Sequence, residues 1–155
     1  MFGWFKKREP QQPAAASEPR DWVNMKAEMS GRPVFIRLRA SLRDPAVQRA
    51  YGYEITTRIT FHELQDNGLP SSDEELTAVD ELEDWLKDRL EASSRTLLAL
   101  VVTGYGVRDC CFYSSDPQSA IRVWEQELQP NIHSHQVAFN VRPDAQWQMY
   151  KRFLG

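Results

Sequence analysis

An α+β fold, with helices mainly on one face of an antiparallel sheet, follows from three features of this sequence. Residues 51–62 alternate apolar and polar side chains, the period of a half-buried strand. Ser71 with Glu74, or Ser72 with Glu75, forms a capping box ahead of the helical stripe Leu76, Val79, Leu82, Leu86 and Leu90. The same order of strand, turn and capped helix then recurs. Residues 107–114 lead to Asp116-Pro117, a helix start with proline at its first position, and to the stripe Ile121, Trp124 and Leu128.

Residues 1–20 are predicted to be a flexible tail and residues 21–155 a single α+β domain. In the tail, Phe2, Trp4 and Phe5 precede Lys6, Lys7 and Arg8. This aromatic-basic tip suits contact with a partner or an anionic membrane surface. The run rich in Pro, Ala, Gln and Ser behind it reads as a linker. Residues 21–30 read either as a short helix or as an extended lead-in, broken at Gly31-Arg32-Pro33. Residues 33–41 alternate, with Val34, Ile36, Leu38 and Ala40 on the expected core face and Phe35, Arg37, Arg39 and Ser41 on the other. Residues 42–50 contain Asp44-Pro45 and read as a loop or short helical turn.

The next strand places Tyr53, Ile55, Thr57, Ile59 and Phe61 on one face and Glu54, Thr56, Arg58, Thr60 and His62 on the other. Gly68-Leu69-Pro70 turns the chain into the long helix. Residues 97–102 are apolar on both faces, so their strand is expected to be central or covered on both sides. Gly104-Tyr105-Gly106 reads as a hairpin turn. Gln129-Pro130-Asn131 ends the second helix, and residues 135–142 form the last strand, with Val137, Phe139 and Val141 on one face. Pro143 stops it. Asp144 caps a short final helix in which Trp147, Tyr150 and Phe153 recur at helical spacing. Without the first strand and the last helix the order is βαββαβ, that of the ferredoxin-like sandwich. The first strand joins either at an edge or as a hairpin with residues 51–62.

The totals fit one soluble domain: 155 residues, 41% hydrophobic and 26% charged. A net charge of −3, from 19 basic and 22 acidic residues, supplies no basic footprint and so no strong nucleic-acid signal. Cys110 and Cys111 are neighbours that point to opposite sides of a strand, which fits a reduced setting. There is no apolar run of about eighteen residues to span a membrane. No apolar core of signal-peptide length precedes the charges at Lys6 to Arg8, so a cytoplasmic location is the expectation.

No catalytic, cofactor or metal site is expected. His133 and His135, as H-S-H on a strand, would share a face and could ligate a metal, but no third ligand stands at a familiar spacing. Asp80, Glu83 and Asp84 read as the wet side of the long helix, with Glu83 and Lys87 as an i,i+4 pair. A cysteine beside Arg108 could be a thiol of lowered pKa, yet no histidine is local. Ser114-Ser115 before Asp116 reads as capping. The glycines around Tyr105 lack the G-K-[ST] of a phosphate loop. The arginines are the most suggestive feature. Arg37, Arg39, Arg58 and Arg142 fall on the non-core face of their strands, where they would form one patch for an anion or an acidic protein surface. The alternative pairs them with Glu54 and Asp109.

The chain resembles the bacterial family of unknown function DUF695. The resemblance covers residues 33–154 and is carried by Gly68-Leu69-Pro70, Glu83-Asp84, Thr103-Gly104, Phe112-Tyr113 and the ending Asp144-x-x-Trp147-x-x-Tyr150-x-x-Phe153-Leu154. It implies no activity. That family looks similar to the regulator-of-ribonuclease-activity B family, which inhibits ribonuclease E by binding it. The implied class is a non-catalytic protein-binding or regulatory module with a protein partner. The rivals are an enzyme or binder of a small anion held by the arginines, and a self-associating module, with a homodimer covering the open sheet face.

Overall fold

Strands β1 (Trp22–Met29), β2 (Arg32–Arg39), β3 (Tyr53–Thr60), β4 (Thr96–Gly104), β5 (Val107–Ser114) and β6 (Val137–Pro143) form one antiparallel sheet. Their spatial order is β1-β2-β4-β5-β3-β6. The helices are α1 (Pro45–Ala50), α2 (Asp73–Glu91), α3 (Pro117–Val123) and α4 (Gln148–Lys151). This is a computed structural model, and it describes residues 21–154. From β3 onward, β3-α2-β4-β5-α3-β6 with strand order β4-β5-β3-β6 fits the ferredoxin-like arrangement.

The start of the domain resolves two open readings. Residues 22–29 are a strand, and the first alternating strand of the sequence is therefore β2. Ser30 and Gly31, with φ of 51° and 81°, make the two-residue turn that joins β1 to β2. This hairpin adds to β4 rather than to β3.

Two cores lie on the two sides of the sheet. On one side α2, α3 and the turn that follows α3 bury Val79, Leu82, Leu86, Ala120 and Trp124 against Ile55, Ile59, Leu98, Val101, Cys110 and Phe112. Leu82 and Trp124 thus share a side, as the repeated strand-helix grammar requires. On the reverse, Val34, Ile36, Leu38, Leu100, Cys111 and Tyr113 are covered by Leu42, Val47, Trp147 and Tyr150. The cover comes from the turn at Ala40–Arg43, from α1 and from the C-terminal segment. β4 is central and feeds both cores, helped by a register shift between Leu98 and Leu100.

The long helix starts as expected. The Ser72 hydroxyl accepts from the Glu75 N–H at 3.1 Å, and three carboxylates occupy the first turn. After α3 the chain widens into a π-helical turn, Trp124–Leu128, which keeps Trp124 and Leu128 on the core.

Gly68 fixes how the loop before α2 meets the sheet. Its carbonyl accepts from the Gly106 N–H at 2.8 Å, and the Phe61 N–H donates to the Gly106 carbonyl at 3.0 Å. Gly68 has φ +88°, and a Cβ there would lie 3.0 Å from the Tyr105 Cα. Both the backbone conformation and the contact exclude a side chain. Gly68→Ala is expected to cost about 2–3 kcal/mol, read as a lower urea midpoint at unchanged m-value.

Candidate functional site

The four arginines do not form one patch. Arg37 and Arg39 sit on the same side as α2, whereas Val34, Ile36 and Leu38 face the reverse core. Alternation along β2 placed these residues on two faces correctly. The expected assignment of a wet face fails because both faces of β2 are covered. Arg37 Nη2 donates to Glu83 Oε1 at 2.6 Å and to Oε2 at 2.7 Å. Arg39 pairs with Asp21 and with Glu91, each at 3.1 Å. The Trp22 ring lies 5.8 Å from both guanidinium carbons.

Glu83 is not on a wet helix face. It is 2% exposed and lies between Arg37 and Arg108. Arg108 is 1% exposed and points from β5 toward α2. Its Nη1 donates to Asp80 at 2.6 Å and to Glu83 at 2.9 Å, and its Nε donates to Thr103 Oγ1 at 3.0 Å. Burial opposes the charge, but Glu83 and Asp80 hold the pKa of Arg108 above its ordinary value. This is a structural charge network. Its arginine is one that sequence reasoning placed only beside a cysteine.

Arg58 and Arg142 do lie on the reverse side, over the half of the sheet formed by β5, β3 and β6. Arg58 grips Asp109 with two bonds, at 2.8 and 2.9 Å. Arg142 Nε donates to Glu54 at 2.5 Å. These are the pairings named as the alternative.

The histidine pairing differs from the H-S-H reading. His133 is exposed in the loop before β6, and the ring beside His135 belongs to His62. The two rings stack with centroids 4.1 Å apart and planes 12° from parallel. Glu75 Oε2 accepts the His62 backbone N–H at 2.6 Å and lies 3.2 Å from His135 Nε2. The expected capping-box carboxylate is thus committed to two histidines. Glu75 and His135 are 60 residues apart, and no local spacing signals their contact.

Both cysteines are buried, Cys110 in the helix-side core and Cys111 in the reverse core, on opposite faces as their adjacency requires. Burial pushes both thiols well above their ordinary range, so neither is the activated thiol considered beside Arg108.

The C-terminal aromatics close the reverse core. Trp147 has the left-handed φ of 56°, unusual for a bulky residue. Packing holds it there. Its ring stacks on Tyr113 at 3.8 Å and meets Tyr150 edge-on at 5.2 Å, and its Nε1 donates to the Tyr51 carbonyl at 2.7 Å. Asp144 accepts from the Tyr113 hydroxyl at 2.7 Å and from the N–H groups of Gln148 and Met149 at 2.9 and 3.2 Å. Phe153 packs on the same cluster. Pro70 is buried, and its carbonyl accepts from Gln65 Nε2 at 2.9 Å.

A model of a family of unknown function, DUF695, matches residues 20–155. The chain belongs to that family. Neither a curated protein nor a solved structure matches it. The DUF695-like residues Gly68, Pro70, Asp144, Trp147, Tyr150 and Phe153 all serve packing, turns or capping here. The tip at Phe2, Trp4, Phe5, Lys6 and Lys7 lies outside the described residues.

Two outcomes follow from these contacts. Glu83→Ala leaves Arg108 and Arg37 short of their shared carboxylate and is expected to cost about 3–5 kcal/mol in denaturant unfolding, while Arg58→Ala costs under about 1 kcal/mol. Burial disfavours the Asp144 charge, but the Gln148 N–H, the Tyr113 hydroxyl and the Met149 N–H hold its pKa below the ordinary value of 3.8. Its stabilisation is full above the unfolded pKa and is lost as pH falls through the depressed one. Melting temperature should therefore drop more steeply below about pH 4 in the wild type than in Asp144→Asn.

Proposed function

We propose that this chain is a non-catalytic binding or regulatory module that meets an acidic protein surface through the open half of its reverse sheet face. The observation that carries this reading is the asymmetry of two ion pairs. The Arg58 and Arg142 side chains are 56% and 54% exposed, whereas their partners Asp109 and Glu54 are 14% and 4% exposed. The sheet keeps the anions and offers the cations. Hydrogen bonding to those carboxylates also raises the pKa of both arginines, so they stay charged.

On this face Arg142 stands opposite Glu54, and Arg58 stands opposite Ala138. Four residues of β3 therefore separate the two positions, roughly 13 Å along the strand. Each guanidinium is tethered to its own carboxylate. A single small anion reaches one of them, while a protein surface with spaced carboxylates reaches both. That spacing favours a protein over the small-anion reading. Face-to-face packing of two copies would bring like charges together, which weighs against self-association through this face.

The likeness inferred from sequence between the DUF695 family and the ribonuclease regulators belongs to the same reading. A bacterial, cytoplasmic setting belongs to this reading, supported by two buried free cysteines. Among the described residues, no helix is long and apolar enough to cross a membrane.

A photo-crosslinker at Asn140, between the two arginines on this face, tests the reading in cells of the source organism. The wild type is expected to trap a defined protein. Arg58→Gln/Arg142→Gln should lose it by about tenfold or more, and Arg89→Gln on the helix side should retain it. An unchanged crosslinking pattern in the double variant would remove this face from the function.

A further inference from the structure

His62, Glu75 and His135 come from three separate parts of the chain: just past β3, the first turn of α2 and the loop before β6. Their ligand atoms lie within 4.8 Å of one another. Glu75 and His135 are buried and His62 is exposed. We propose that these three side chains bind a divalent first-row transition metal ion, with His62 turning out of its stack to complete the site. Two imidazoles and one carboxylate form a recognised donor set for such ions.

The stack itself shows which ring must move. With planes 12° from parallel, the nitrogen lone pairs of the two rings lie in nearly parallel layers. An ion about 2.0–2.1 Å from one nitrogen, in the plane of its ring, then lies far off the lone pair of the other. One imidazole has to rotate before both can ligate. His135 is pinned, with Ser134 Oγ 3.1 Å from Nδ1 and Glu75 Oε2 3.2 Å from Nε2. The exposed ring of His62 is the one able to turn.

The partners of His135 suit a ligand. When Nδ1–H donates to Ser134, as a second-shell acceptor orients metal-bound histidines, Nε2 is bare and faces the Glu75 carboxylate. In that tautomer Nε2 and the Glu75 carboxylate present two donor atoms to one ion. The positive end of α2 opposes a cation, but Asp73, Glu74 and Glu75 place three carboxylates in its first turn. Three protein ligands leave at least one position for water or for a donor from outside.

The test is calorimetric titration of the tag-free full chain with Zn²⁺, with Co²⁺ absorption reporting the ligand field. One ion per chain is expected, with the ring signals of both His62 and His135 shifting in NMR at one equivalent. His62→Ala and His135→Ala should each weaken binding by about tenfold or more, and His133→Ala should leave it unchanged. Absence of binding overturns the proposal, as does binding that survives His62→Ala or that is lost only with His133→Ala. His62 is exposed, so its variant keeps the fold, checked by circular dichroism, even where His135→Ala does not.

Discussion

Arg108 puts a full positive charge where water is excluded, and the layer between sheet and helix is arranged to answer it. An isolated guanidinium at 1% exposure would cost several kcal/mol. Asp80 and Glu83 supply the compensating charge, one turn apart on α2, and the Thr103 hydroxyl on β4 accepts from Arg108 Nε. These bonds fix the rotation of α2 about its axis and its position along the sheet more sharply than the leucine stripe does, since apolar contacts are non-directional. Glu83 also accepts from Arg37, so the same carboxylate ties the N-terminal hairpin to the helix. Charge holds β2 on one side and Val34, Ile36 and Leu38 hold it on the other. In this way a βαββαβ unit carries two extra strands on the β4 edge without leaving the hairpin to pair alone.

Local signals made the later elements legible. β5 runs Val107–Ser114 as expected, and Asp116 accepts from the Ser119 N–H at the head of α3. Both depend on neighbours in the chain. β1 was harder to see because it is an edge strand: its first half is partly buried and its second half exposed, so no alternation is imposed on WVNMKAEM. The Ser30-Gly31 pair that turns the hairpin was read only as part of a break at Gly31-Arg32-Pro33, although Ser-Gly is a turn signal. For β2 the period was right and the layers were not. A period of two states which residues share a face, but not what covers that face.

The candidate sites lay beyond local reading for a related reason. Glu75 stands where a capping box wants it, and its N–H is capped by Ser72. Its carboxylate nevertheless serves His62 and His135, which reach it from just past β3 and from the loop before β6. Likewise Asp80 and Glu83 look like solvated helix residues until β5 delivers Arg108 beneath them. Charged residues on a helix stripe are ambiguous in sequence because a buried partner of opposite sign makes burial tolerable, and that partner is 25 or 28 residues away.

The reverse face divides at β5. On the β2 and β4 side, Trp147 and Tyr150 cap the sheet, and Tyr113 joins them through its stack and through Asp144. On the β3 and β6 side the face is polar, with Thr56, Arg58, Asn140 and Arg142. An open sheet face whose only apolar side chain among these positions is the small Ala138 has little tendency to collapse onto another hydrophobic surface. Any recognition there would have to come from directional groups, and the exposed donors of two tethered guanidiniums are such groups. Because Glu54 and Asp109 already fix their orientation, ordering those long side chains on contact costs less entropy than for unpaired arginines. On the proposed reading, the ion pairs add little to folding stability and lower the cost of docking, so a stability survey of this face and a binding survey of it would single out different residues.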